Sequence, residues 1–376
     1  MERNDLRSQS LDLLRFPLAL VVLIIHVFNT RGFALRGSQV SVEDMPVLLE
    51  INHFIDGFLR GQSVPIYFFI SGFVFFLGVE MTGGVYARKL RNRVHTLLIP
   101  YIVWNIIDVL LVLARHLPMF SSVFPNIHNM PLDFSLSAIL ETFWDSSKGI
   151  FALQAADDGA PLFPQDKPLW FLRDLMIVVL CTPLICWMLK CMRHYFVWVL
   201  GILWFVLEYW SLGHVNQLLS AFFFFSWGAY MSVCGKDMIK EFNRYFKPSM
   251  VLYPLLAVLF VCSVHWFPWA SDTIKRMNVF VGLLFAYNMA SWLVVRGVCR
   301  PNPLLTSASF FVYVSHALIC ADMPKLLFFV FRPETQGGMI LIYLSATIII
   351  VGMILLAYCG LKRYAPSLLR LMTGRK

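Results

Sequence analysis

The apolar run that begins near residue 13 carries two side chains that hydrocarbon tolerates poorly, Arg15 and His26. They stand eleven positions apart, which at about 100° per residue is three helical turns plus roughly 20°, so a helix presents both on one face. The rise between them is roughly 16 Å, which places one at a membrane surface and the other deep. An arginine holds phosphate through charge-assisted hydrogen bonds, and a neutral imidazole takes a proton near pH 7. The pair therefore suits a substrate with an anionic head at the surface and a reactive end inside the membrane. A plainer reading stands beside it: Arg15 sets topology, and His26 hydrogen-bonds a neighbouring helix.

Other polar residues fall in apolar surroundings and call for the same scrutiny. His316 closes Ser309-Phe310-Phe311-Val312-Tyr313-Val314-Ser315-His316, with Tyr313 one turn before it on the same face; it either lines a cavity or bonds a carbonyl. Asp322 and Lys325, at i and i+3, are expected to neutralise each other. Arg173 and Asp174 are further charges inside a span that need a reason, and Asp108 and Glu208 give no specific signal. Arg88, Lys89, Arg91 and Arg93 form the densest basic cluster, ahead of an apolar run. Such a cluster is a topology signal and a headgroup contact, and it would also attract a polyanion such as coenzyme A.

Composition identifies the elements that must position these groups. Of 376 residues 59% are hydrophobic and only 14% charged, whereas a soluble chain carries roughly 25% charge. The class expected is all-α, a polytopic membrane protein. Windows of about 20 mostly apolar residues occur near 13–30, 64–80, 94–115, 170–189, 195–211, 216–234, 250–268, 279–297, 303–331 and 338–360, which predicts ten transmembrane helices. Basic residues concentrate in alternate connections: Arg3 and Arg7, the Arg88 to Arg93 cluster, Lys190 and Arg193, Lys236 to Lys247, Arg296 and Arg300, and Lys362 onward. By the positive-inside rule both termini are cytoplasmic, N-in and C-in. The long segment 116–168 then lies outside as an ordered cap, and 1–376 reads as a single transmembrane domain.

The same pattern excludes several classes. Lys plus Arg exceed Asp plus Glu by 31 to 22, but the positives sit in short clusters between apolar runs, so no nucleic acid partner is expected. The eight cysteines lie within or beside apolar runs and supply neither a disulfide framework nor a thiolate metal site; metal is expected to be absent. No Gly-rich nucleotide loop and no nucleophile elbow is present.

Five segments taken in order carry a resemblance: Leu11-Asp12-Leu13-Leu14-Arg15 with His26; Tyr67-Phe68-Phe69-Ile70-Ser71-Gly72-Phe73; the basic run into Leu97-Leu98-Ile99-Pro100-Tyr101; Leu169-Trp170-Phe171-Leu172; and Phe311 to His316. Over nearly the whole chain this resembles the acyltransferase-three family of integral membrane O-acyltransferases. The resemblance implies a ten-helix domain that takes an acyl group, commonly acetyl, from cytoplasmic coenzyme A and passes it to a sugar hydroxyl. It implies that Arg15 and His26 are an essential pair, that Ser71 and Gly72 form a small-residue turn, and that Arg93 is the basic position ahead of Pro100. Many members place another basic residue three positions further, where this chain has Thr96. The extracellular hydrolase-like domain of some members is not expected here.

These readings converge on a membrane O-acyltransferase of the inner or plasma membrane that uses acetyl-CoA as donor and a glycan or lipid-linked sugar as acceptor. His26, Arg15 and His316 are the expected catalytic residues. Arg15, Arg88, Arg91, Arg93 and Ser71 are expected to bind the donor, and membrane lipids surround the whole. The alternative is a transporter or flippase of a glycan or lipid precursor, for which buried charges would also serve. Against it stand the lack of an internal repeat and of paired Gly/Pro interruptions.

Overall fold

The computed structural model describes residues 3–28, 33–35, 38–40, 44–120, 130–151, 161–207, 210 and 212–374. Glu208 lies outside the described residues. Apart from one short antiparallel hairpin, β1 (Phe33–Leu35) with β2 (Ser38–Val40), the regular elements are helical. They are α1 (Arg3–Val27), α2 (Pro46–Phe58), α3 (Ser63–Phe76), α4 (Gly83–Arg93), α5 (Ile99–Arg115), α6 (Leu136–Thr142), α7 (Trp170–Leu180), α8 (Thr182–Met192), α9 (His194–Leu207) and α10 (His214–Val233). They continue with α11 (Met238–Asn243), α12 (Phe246–Trp266), α13 (Ser271–Val295), α14 (Pro303–Ser315), α15 (Ala317–Cys320), α16 (Met323–Phe331), α17 (Gln336–Tyr364) and α18 (Pro366–Thr373).

Local chemistry sets many of the helix starts. Pro46, Pro303 and Pro366 occupy first-turn positions, where a missing N–H costs nothing. Side chains of Thr82, Asp237 and Asn302 accept from the first free amides of α4, α11 and α14.

Six helical stretches among the described residues are long and apolar enough to cross a membrane, and two more qualify if each bent pair counts as one span. The bent pairs are α7 with α8, at 62°, and α14 with α15 and α16, at 60°; α9 is shorter, at 14 residues. The chain is a multi-span membrane protein.

Two spans extend beyond the windows read from hydropathy. Pro46–Phe76 is one 31-residue apolar stretch, because Leu48, Asn52 and Ile55 recur at helical spacing and bury a face of what had the composition of a polar connection. Gly83–Arg115 is another, and it contains a turn of π-helix at Val94–Leu98 just before Pro100. A proline ring collides with the carbonyl four residues back, here that of Thr96, and the wider turn accommodates it.

The chain divides into two compact units, Met1–Ile70 with Gly235–Gly360, and Ser71–Cys234 with Leu361–Lys376; two of the three divisions fall inside α3 and α17 and the other follows α10. In the first unit α1 packs on α13 and α14, and α12 packs on α2 and α13. Leu18, Ala19, Val22 and Leu23 form the buried face of α1. In the second unit α10 packs on α7, α8 and α9, and α5 packs on α18, where the Trp104 indole donates to the carbonyl of Met372 at 2.9 Å. Described parts of 116–168 also belong to the second unit. The Gln165 amide donates to the carbonyl of Thr142, that of Ser146 to Phe163 and that of Asp133 to Ile150, so these parts are tied to one another.

Candidate active site

His316 occupies the break in a span. It caps α14 and precedes α15, and its side chain is fully buried. Its Nδ1 lies 2.6 Å from the carbonyl oxygen of Tyr313, the acceptor that an uninterrupted helix would offer to the amide of Ala317. Imidazole and backbone thus compete for one oxygen. Ser315 donates its hydroxyl back to the carbonyl of Phe311 at 2.7 Å, a contact that also favours bending. Pro324, in the first turn of α16, offers no amide to continue the ladder.

The Tyr313 carbonyl can only accept, so Nδ1 carries the proton and a neutral His316 keeps its lone pair on Nε2. Nε2 is buried and has no hydrogen-bond partner among the described residues. The ring of His26, in the last turn of α1, stands beside it with centroids 5.1 Å apart and planes inclined at 45°. His26 is the more exposed of the two. Sequence reading treated these histidines separately; folding makes them neighbours.

Arg15 lies on the same helix as His26, partly exposed, with its guanidinium 2.9 Å from the Asp12 carboxylate. Tyr67 of α3 donates its hydroxyl to the Arg15 carbonyl at 2.8 Å and meets the Tyr313 ring edge-on at 6.2 Å. Tyr313 in turn stands 6.1 Å from the ring of His316. A run of contacts therefore joins Arg15, Tyr67, Tyr313, His316 and His26 within the first unit. The sequence offered Tyr67 only as a letter in a motif, since its hydroxyl reaches α1 through the fold alone.

The other expected residues belong to the second unit. Ser71 and Gly72 sit inside helix α3 rather than in a turn. Gly72 is small because the backbone of α10 at Phe225 passes where a Cβ would stand. Arg88 and Arg91 are exposed on α4. Arg93 is half-buried, with its guanidinium 5.7 Å from the Phe75 ring centroid, and Lys89 lies over the same ring and donates to the Phe75 carbonyl near the end of α3. The cluster is thus divided between two exposed arginines and two cations that hold a helix end.

Arg173 and Asp174 form a buried ion pair at 2.8 Å. Arg173 also donates to the carbonyls of Trp144 and Leu162, and Asp174 Oδ1 lies 3.1 Å from His214 Nε2. These contacts fasten Trp144 and Leu162 to α7, and α7 to α10. Gln165 donates to Asp108 at 2.9 Å, and Asn105 accepts the Asp166 amide at 3.0 Å. The Asp166 carboxyl is buried with no hydrogen-bond partner at either oxygen among the described residues; burial, and then the nearby Asp108, push it well above the usual carboxylate range. Asp322 and Lys325 stand 3.9 Å apart, close enough to pair. A cavity of about 160 Å³ in the first unit is lined by Asn243, Tyr287, Asn288 and Trp292 among others, and by none of the residues expected to act.

Comparison with known proteins decides which chemistry this frame belongs to. Residues 8–359 match the acyltransferase-three family, described as an acyltransferase domain. The chain is a member of that family. All five segments that carried the resemblance fall inside the matched range, from Leu11 to His316. The chain is also similar to the succinoglycan biosynthesis protein ExoH of Rhizobium meliloti (strain 1021), with 24% identity over 98% of this chain and 92% of that protein. No solved structure matches the chain. As a member of the family it is a transferase of acyl groups, and its apolar helices make it a membrane-embedded one.

Proposed function

We propose that the protein moves an acyl group, acetyl in the first instance, from cytoplasmic acyl-CoA to a hydroxyl of a cell-envelope polysaccharide or its lipid-linked precursor. The observation that carries this reading is the His26–His316 pair, with the protonated nitrogen of His316 fixed by the Tyr313 carbonyl. The family supports acyl transfer, and the printed role of ExoH, succinoglycan biosynthesis, supports a polysaccharide acceptor.

A thioester is already activated, so the protein need only position it, remove a proton from the incoming hydroxyl and receive the leaving thiolate. An imidazole of the pair takes the hydroxyl proton as the oxygen attacks the thioester carbonyl carbon. The C–S bond breaks, and the proton passes to sulfur, releasing coenzyme A and an ester. With ring centroids 5.1 Å apart, a second proton would make two adjacent cations, so the pair takes up one. His26, the more exposed ring, faces the reacting groups as base; His316 accepts from it through Nε2 or holds it in place.

Arg15, on the His26 helix, is suited to a phosphate, as are Arg88 and Arg91 on the exposed face of α4, with Arg93 behind them. Ser71 retains its expected role as a donor contact. In this proposal the chain crosses the inner or plasma membrane ten times with both termini inside, so that donor and acceptor approach from opposite sides. Acyl-CoA turnover by purified protein tests the reading. Coenzyme A thiol released in proportion to added acceptor glycan supports it, whereas glycan movement across proteoliposomes without thioester loss would establish the transporter.

A further inference from the structure

Away from the histidine pair, the first unit gathers three groups that ligate metals. Glu50 and His53 stand one turn apart on α2, and His265 lies in the last turn of α12, more than two hundred residues on in sequence. His265 Nε2 is 2.9 Å from Glu50 Oε1, and His53 Nδ1 is 3.7 Å from Glu50 Oε2. The two imidazoles meet edge-on at 5.6 Å, and one ligand atom from each residue lies within 4.8 Å of the other two. Among the described residues no other three His, Cys, Asp or Glu side chains converge this closely.

Coordination chemistry fits these distances. Zinc bound to imidazole nitrogen and carboxylate oxygen at about 2.0–2.1 Å in tetrahedral geometry sets its ligand atoms about 3.3 Å apart. The contacts to the two Glu50 oxygens, 2.9 and 3.7 Å, bracket that value, and rotation of side chains whose ligand atoms lie within 4.8 Å of one another would close the site. Two imidazoles and one carboxylate make a borderline donor set that favours Zn²⁺ and its first-row neighbours over Mg²⁺ or Ca²⁺. The helix frame is already firm at this place. Phe58 of α2 meets Tyr253 of α12 at 4.4 Å with ring planes inclined at 34°, and the absence of a side chain at Gly57 lets the Phe260 ring lie against α2. A second feature points to a ligand: His53 Nδ1 is buried and has no hydrogen-bond partner among the described residues, although a carboxylate stands beside it. Glu50 and His265 keep 44% and 46% of their side chains exposed, which leaves an entry path and an open coordination position.

We propose that Glu50, His53 and His265 bind a divalent transition-metal cation of the zinc class, which braces α2 against α12. The site departs from the metal-free expectation drawn from the sequence, and it is independent of acyl transfer.

The test uses the full-length protein without a histidine tag, in detergent, stripped of metal and with its exposed thiols alkylated, titrated with Zn²⁺ against a chromophoric chelator. One equivalent is expected to bind at low micromolar concentration or tighter. Glu50→Gln, His53→Ala and His265→Gln should each weaken that equivalent at least ten-fold, and His116→Ala, a histidine outside the cluster, should not. Co²⁺ should give visible absorption of nitrogen and oxygen ligation that His265→Gln abolishes, and Zn²⁺ should raise the melting temperature of the wild type but not of Glu50→Gln. No bound equivalent in the wild type, or an equivalent that survives all three substitutions together, would overturn the site and reduce the cluster to a hydrogen-bonded Glu50–His265 pair.

Discussion

The imidazoles of His26 and His316 stand 5.1 Å apart, brought together from opposite ends of the sequence by the packing of α1 against the bent span α14–α16. His316 is held by the Tyr313 carbonyl at the bend itself, so the feature that breaks the helix also fixes which nitrogen carries the proton. The relationship turns two separate candidates into one chemical unit and sets the predictions.

Donor binding tests the basic residues. Arg93→Gln should weaken acyl-CoA binding by about 1.5–3 kcal/mol, the scale of one charge-assisted hydrogen bond, and raise the dissociation constant about ten-fold or more. Arg15→Gln should lose at least as much. Wild-type affinity should fall as salt rises, and each variant should show a shallower dependence. Titration calorimetry in detergent reads all of these, and unchanged affinity in both variants would send the donor elsewhere.

Topology is tested with a membrane-impermeant thiol reagent on intact cells, in a background lacking the exposed Cys191 and Cys359. The positions must be exposed. Ser249 and Thr373 would report poorly because both are buried and hydrogen-bonded, whereas Ser137, Asp272, Lys247 and Ser367 are open. Cysteines at Ser137 and Asp272 should label, and those at Lys247 and Ser367 should not. Labelling at Ser367 would contradict the inside placement of the C-terminus.

Asp166 gives a pH dependence of known sign. Its folded carboxyl holds a proton above the usual carboxylate range, so the folded state binds more protons than the unfolded chain between the two values. The stabilisation is complete below the unfolded value and is lost as pH rises through the folded one. Asp166→Asn keeps a neutral side chain at every pH. Its melting temperature should exceed that of the wild type near pH 7, with the difference vanishing in acid. A difference that does not change with pH would assign the effect to packing instead.

Much of the architecture was legible in the sequence because hydrocarbon allows few alternatives: the apolar windows and the helical class follow from composition and spacing. What was not legible came from contacts between distant segments. The i,i+3 spacing of Glu50 and His53 is visible, but His265 joins them only through the packing of α2 on α12. Gly72 reads as a turn residue and proves to be a point of close helix approach. The helical face in 46–58 was masked by its polar surroundings. Arg173 and Asp174 are legible only as charges inside an apolar run, and the partners that satisfy them are each other, backbone carbonyls and His214.

The central claim, that His26 and His316 act together, is tested most directly by a double-mutant cycle on acyl-CoA turnover with acceptor present. His26→Ala and His316→Ala should each lower kcat by about 10², with donor affinity within a few fold of the wild type, and the double variant should fall no more than a few fold further. Losses that multiply to about 10⁴ in the double variant, or near-normal turnover in either single one, would contradict it.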